Sequence, residues 1–93
     1  MVRKAAKFVI QGSVQGIFFR QFIKEKAELL ELKGFTRNLT DGNVEIIVEG
    51  DGEKIQTFGN MLKEGPEHAS VRNIQFEERK WNGEFKDFKI LRF

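Results

Sequence analysis

The 93-residue chain has no cysteine and no tyrosine, one histidine (His68) and two serines (Ser13 and Ser70). Without cysteine there is no disulfide and no thiolate, and with so few partners a Ser-His or Cys-His nucleophilic centre is nearly excluded. His68 has no second His or Cys with which to share a metal, so a surface or packing role suits it best and no metal is expected. No apolar run approaches the roughly 18 residues of a membrane span. The start, Met1-Val2-Arg3-Lys4, leads into a strand-like segment rather than a signal-peptide core. A soluble, cytoplasmic protein is the simplest expectation. An excess of one charge is also missing, because 16 basic residues against 14 acidic ones leave only +2. Nucleic-acid binding gains little from so small a surplus.

The 40% of hydrophobic residues suffice for one core, so residues 1–93 read as a single domain. Residues 7–11 carry Phe8, Val9 and Ile10, an apolar run that stops at Gly12 as a buried strand does before a turn. From Phe19 the apolar residues fall at Phe19, Phe22, Ile23, Ala27 and Leu30, the spacing of an amphipathic helix that ends before Gly34. Residues 35–39 and 44–48 flank Thr40-Asp41-Gly42-Asn43, where Asp-Gly signals a tight hairpin. Ile55, Phe58, Met61 and Leu62 then repeat at helical spacing, with Asp51 as cap and Gly65-Pro66 as stop. Val71, Ile74 and Phe76 begin another strand, and Asn82-Gly83 reads as a second hairpin into a last strand with Phe88 and Ile90. The order is β-α-β-β-α-β with an extra C-terminal strand. This is an α+β, ferredoxin-like sandwich with two helices on one face of a mainly antiparallel sheet.

Chemistry concentrates in Gly12-Ser13-Val14-Gln15-Gly16-Ile17-Phe18-Phe19-Arg20, between the first strand and the first helix. Free backbone N–H groups and the helix dipole favour an anion there, and two glycines let the chain curl so that several N–H groups converge. Arg20 falls in or just before the first helical turn, where a cation is disfavoured unless a bound anion reverses the balance. Its planar fork matches phosphate oxygens. An ordinary strand-to-helix turn with an arginine in solvent would look the same, and the loop is neither a P-loop nor a dinucleotide fingerprint.

The second segment, Gly34-Phe35-Thr36-Arg37-Asn38-Leu39-Thr40-Asp41-Gly42-Asn43-Val44 with Gly50 beyond, separates these readings. With the first loop it resembles the acylphosphatase family, whose patterns are G-x-V-Q-G-V-x-F-R and G-aromatic-x-x-N-x-x-x-G-x-V followed by a later glycine. Gly65-Pro66-Glu67-His68-Ala69-Ser70-Val71 and Phe88-Lys89-Ile90 extend the likeness along essentially the whole chain. The resemblance implies hydrolysis of small acyl phosphates to a carboxylate and inorganic phosphate, without cofactor or metal. It puts the catalytic pair on Arg20 and Asn38: the arginine and the amides of Gln15, Gly16, Ile17, Phe18 and Phe19 hold the phosphate, and the asparagine positions the attacking water. An activated anhydride needs little more than orientation and charge stabilisation.

The chain departs from the family's pattern mildly. Ile17 replaces a valine, and Thr36 stands where a small apolar residue is usual. Glu31 occupies a frequent glycine position, at a cost of about 1 kcal/mol if it must be left-handed. Asp41, Asn43 and Glu45 mimic a calcium loop, but the hairpin explains them. Lys33-Gly34-Phe35 starts like an RNA-recognition signature that fails at Thr36. The competing function is a non-catalytic module that binds phosphate, carbamoyl phosphate or RNA. The chain is expected to stand alone as a monomer, with the last strand, rich in Lys and Phe, as the place where edge pairing would occur.

Overall fold

The computed structural model describes residues 1–14, 17–66 and 69–92, and the side chains of Ser13 and Ile17 are outside the description. The elements are β1 (Arg3–Ser13), α1 (Ile17–Leu29), β2 (Lys33–Asn38), β3 (Val44–Asp51), α2 (Gly52–Glu64), β4 (Ser70–Arg79) and β5 (Phe88–Leu91). The strands form one sheet in the order β4-β1-β3-β2-β5. β1 runs antiparallel to β3 and β4, β2 antiparallel to β3, and β5 parallel to β2.

Each helix exists because its sequence buries one stripe. Phe19, Ile23 and Ala27 of α1 are buried at four-residue intervals, and Ile55, Phe58 and Leu62 of α2 at intervals of three and four. They meet Ala6, Phe8 and Ile10 of β1 and Val44, Ile46 and Val48 of β3 in one core, where the Phe8 and Phe58 rings stand edge to face 5.8 Å apart. The Asp51 carboxylate caps α2 by accepting from the Glu53 N–H at 3.1 Å.

The start of α1 lies ahead of Phe19, at Ile17. Its end is a Schellman turn: the Leu32 N–H donates to the Ala27 carbonyl at 2.8 Å and the Glu31 N–H to that of Glu28 at 3.0 Å. Glu31 is accordingly left-handed, with φ of 58°. Lys54, whose Nζ lies 3.1 Å from the Glu31 carboxylate, offsets little of that strain because the pair is exposed.

The Asp-Gly hairpin joins β2 and β3 through a longer loop rather than a two-residue turn. The Leu39 N–H donates to Asn43 O at 2.8 Å and the Gly42 N–H to Leu39 O at 3.2 Å, with Gly42 at φ of 92°. Asp41 accepts from the Asn43 N–H at 3.0 Å, which turns both residues inward to the loop itself.

The second hairpin expected at Asn82-Gly83 does not form. β4 and β5 lie at opposite edges of the sheet, and the chain between them crosses the face away from the helices. The cause is Glu49, buried to 4% exposure on that face. Its carboxylate accepts from the N–H groups of Asn82, Gly83, Glu84 and Phe85 at 3.1, 3.0, 3.1 and 3.3 Å. Four convergent amides around one carboxylate outweigh the turn preference of Asn-Gly, since such charge-assisted bonds are the strong ones. Phe85 also packs edge-on against Phe35 of β2 at 5.9 Å, and Arg3 lies 5.3 Å over the Trp81 ring.

Two stability changes follow. Glu49→Gln turns one acceptor oxygen into a donor facing amides and should cost about 2 kcal/mol in urea unfolding; an unchanged midpoint would mean that the crossing segment is held by something else. Glu31→Gly relieves the left-handed strain and should stabilise by about 0.5–1 kcal/mol.

Candidate active site

Register fixes which side chains share a face. Ala6, Phe8 and Ile10 of β1 pair with Val48, Ile46 and Val44 of β3, and these pair with Gly34, Thr36 and Asn38 of β2. All lie on the face that carries the helices, and Ile10, Val44 and Asn38 form its last row at one end of the sheet. Beyond Ile10, β1 continues through Gly12 to Ser13, paired with Val71 and Ser70 of β4, before the chain passes on to α1. The loop and Asn38 therefore share one end and one face of the sheet.

At Gly12 the β1–β4 register shifts, a bulge between Gln11 and Gly12. Its φ is 142°, and a Cβ there would stand 2.0 Å from the Ser70 carbonyl oxygen. Only glycine lets the Ser70 carbonyl approach β1 this closely. Val14 then plugs into the core at 1% exposure and anchors the middle of the loop. The only sequence signal for this anchor is a lone β-branched residue between two glycines.

Gln15 and Gly16 lie outside the described residues, as does His68. Ile17, Phe18 and Phe19 open α1, so their N–H groups have no acceptor within the helix. The two helices differ at this point. α2 begins with Asp51 as cap and Glu53 in its first turn, whereas α1 has no acidic residue in its first turn. Arg20, partly buried, occupies that turn instead. The helix whose first turn carries no acid is the one beside Asn38. The Phe18 side chain points outward at 86% exposure.

Among the polar groups on the helix face, Thr36 is fully buried and its hydroxyl donates to the Glu45 carbonyl at 3.1 Å. Asn38 is different: its Oδ1 is buried and accepts no hydrogen bond among the described residues. An orphaned amide oxygen costs about 1–3 kcal/mol, so its retention points to a donor that binds there. Arg37 faces the opposite side of the sheet, its Nε 2.8 Å from Glu45 Oε1, and so does Lys7, 3.5 Å from Glu45 Oε2. Neither cation belongs to the loop. Among the described residues, no three of His, Cys, Asp and Glu gather as a metal-holding group.

The fold and this end of the sheet define an α+β sandwich with a glycine-containing strand-to-helix turn and a buried amide at the same end. The family model described as Acylphosphatase matches residues 6–90. An acylphosphatase of Pelotomaculum thermopropionicum is 41% identical over 90 residues, which span 97% of this chain and 98% of that protein. An acylphosphatase of Pyrobaculum aerophilum is 42% identical over 87 residues, 92% of each. The crystal structure of the Bacillus subtilis acylphosphatase superposes with a TM-score of 0.91 at 30% identity, covering 96% of this chain and 99% of that one. The chain belongs to the acylphosphatase family.

Gly12→Ala should cost about 1–3 kcal/mol of stability, because the methyl group must displace the Ser70 carbonyl or the bulge. Affinity for inorganic phosphate should fall with it. A variant with wild-type urea midpoint and phosphate affinity would show that the loop does not depend on the bulge.

Proposed function

We propose that the protein hydrolyses the carboxyl-phosphate bond of small acyl phosphates, releasing a carboxylate and inorganic phosphate, by gripping the phosphate at the start of α1 and aiming a water with Asn38. The observation that carries this reading is the buried Oδ1 of Asn38, without a partner among the described residues, at the same end and face of the sheet as the N-terminus of α1.

The substrate phosphate sits on the amides of Gln15, Gly16, Ile17, Phe18 and Phe19, with the Arg20 guanidinium across two of its oxygens. The added negative charge also removes the conflict between Arg20 and the positive end of the α1 dipole. Asn38 Oδ1 accepts a hydrogen bond from a water and holds its oxygen toward phosphorus, opposite the acyl oxygen. As the water attacks, the phosphorus–acyl oxygen bond breaks and the carboxylate departs with the electron pair. It is a good enough leaving group to need no acid. A bound phosphate oxygen takes the water's proton, so no side-chain base is required. Charge that builds on the equatorial oxygens is met by donors already in place, where electrostatic stabilisation is largest.

The chemistry needs no metal, nucleic acid or cofactor. No described helix is long and apolar enough to cross a membrane. The absence of cysteine, in turn, supports a cytoplasmic place of action.

Purified protein in chelator should release phosphate from benzoyl phosphate. Arg20→Gln and Asn38→Ala should each lose about 2–4 kcal/mol of transition-state stabilisation, a factor of about 10²–10³ in rate. Undiminished rates in both variants would refute the assignment, and phosphate binding without turnover in the wild type would leave a binding module instead.

A further inference from the structure

The Asn82-Gly83 pair, which forms no hairpin, carries a chemistry that the folded chain has to contain. An asparagine followed by glycine is the most reactive setting for backbone deamidation, because no side chain hinders the glycine nitrogen as it attacks the neighbouring amide carbon. Asn38, Asn43, Asn60 and Asn73 precede Leu39, Val44, Met61 and Ile74, and Asn82 alone precedes glycine. The fold also favours that glycine. Gly83 has φ of 65°, and a Cβ there would stand 2.8 Å from the Trp81 ring, over which Arg3 lies at 5.3 Å.

We propose that Asn82-Gly83 is a latent deamidation site that Glu49 keeps locked while the crossing segment is docked, and that reaction there undocks the segment for good. The reacting nitrogen is that of Gly83, and its N–H donates to Glu49 Oε2 at 3.0 Å. The Asn82 N–H donates to the same oxygen at 3.1 Å, so one carboxylate atom holds the peptide units on both sides of the Asn82 Cα. Attack on Asn82 Cγ requires the second unit to swing toward the side chain and its nitrogen to shed the proton. Either breaks the bond to Glu49. Loss of the proton would also leave negative charge beside a carboxylate, and a like charge disfavours that state. Reaction therefore proceeds from molecules in which the segment has lifted from Glu49, a local opening that costs less than global unfolding.

Asp41-Gly42 and Asp51-Gly52 could close the same kind of ring, but their glycine N–H groups go to neutral carbonyls, of Leu39 at 3.2 Å and Val2 at 2.9 Å. An ionised carboxylate is a poorer electrophile than an amide, so the charged lock falls on the most reactive pair. In the open state the Gly83 nitrogen bonds to Asn82 Cγ, the side-chain nitrogen leaves as ammonia, and a succinimide closes. Water then opens the ring at either carbonyl. Attack at the side-chain carbonyl gives aspartate, and attack at the backbone carbonyl gives isoaspartate, whose chain runs through the former Cβ. Each product adds negative charge close to Glu49, and the isoaspartyl link lengthens the backbone so that the four amides no longer converge. A reversible opening becomes permanent.

Peptide mass spectrometry, following conversion of Asn82 to an acid at mildly alkaline pH, tests the proposal on three samples: folded wild type, the same chain unfolded in guanidinium chloride, and Glu49→Gln shown to be folded by far-UV circular dichroism. The folded wild type should convert about tenfold or more slowly than the unfolded chain, and Glu49→Gln, which lacks the charge-assisted bond, should lose most of that protection. Hydrogen exchange of the Gly83 amide needs no variant and should be slowed in the wild type by a comparable factor, because the same opening exposes it. Once converted, the protein should unfold at a lower urea concentration. Equal rates in folded and unfolded wild type, a folded Glu49→Gln as resistant as the wild type, a Gly83 amide that exchanges freely, or an unchanged urea midpoint after conversion would each overturn it.

Discussion

The turn from β1 into α1 sets the constraint on which the rest of this molecule is arranged. β1 is paired on both sides and its helix-facing residues are core, so the chain must leave it at a definite place. Just before that place, beside the register shift between Gln11 and Gly12, β4 comes so close to Gly12 that no side chain is admitted. The helix that follows opens with N–H groups that it cannot satisfy and with an arginine where an acid would ordinarily help. Buried Val14, Phe19 and Ile23 tie this turn to the core.

The two faces of the sheet handle polarity in opposite ways. On the face away from the helices, buried charge is fully matched: Glu45 lies between Lys7 and Arg37, and Glu49 takes four backbone amides. On the helix face, Thr36 finds a carbonyl, but Asn38, two residues further along the same strand, presents an acceptor that the described protein leaves unmet. Among the described residues, a chain able to satisfy its buried groups elsewhere keeps this one unsatisfied at the end of the sheet where α1 starts. In the proposed mechanism that acceptor orders a water and the helix end orders a phosphate, so most of the barrier is lowered by placement.

Much of this was legible in the sequence because it is local. The strand-to-helix loop, the amphipathic stripes of α1 and α2, the Asp51 cap and the Asp-Gly hairpin all rest on residues a few positions apart. The strained Glu31 was legible too, because a helix end that wants glycine shows up against the family's pattern. What sequence misjudged was non-local. Asn82-Gly83 has the chemistry of a hairpin, yet Glu49, more than thirty residues earlier, collects its amides and sends the chain across the sheet to the far side of β2. Glu49, an acid that follows Ile46, Ile47 and Val48 in β3, was the available hint. Likewise, Phe76 is one of the apolar residues that mark the strand after α2, yet on that edge strand it stays exposed. The pairing of Asn38 with the end of β1 also depended on sheet order, which no local pattern carries.

The central claim is a division of labour, with α1 and Arg20 gripping phosphate and Asn38 aiming water. Titration of inorganic phosphate into the folded wild type, Arg20→Gln and Asn38→Ala tests it most directly. The account predicts that Asn38→Ala binds phosphate within about threefold of the wild type, while Arg20→Gln weakens it by about tenfold or more, as expected for a lost charge-assisted contact. Equal losses of phosphate affinity in the two variants would contradict it.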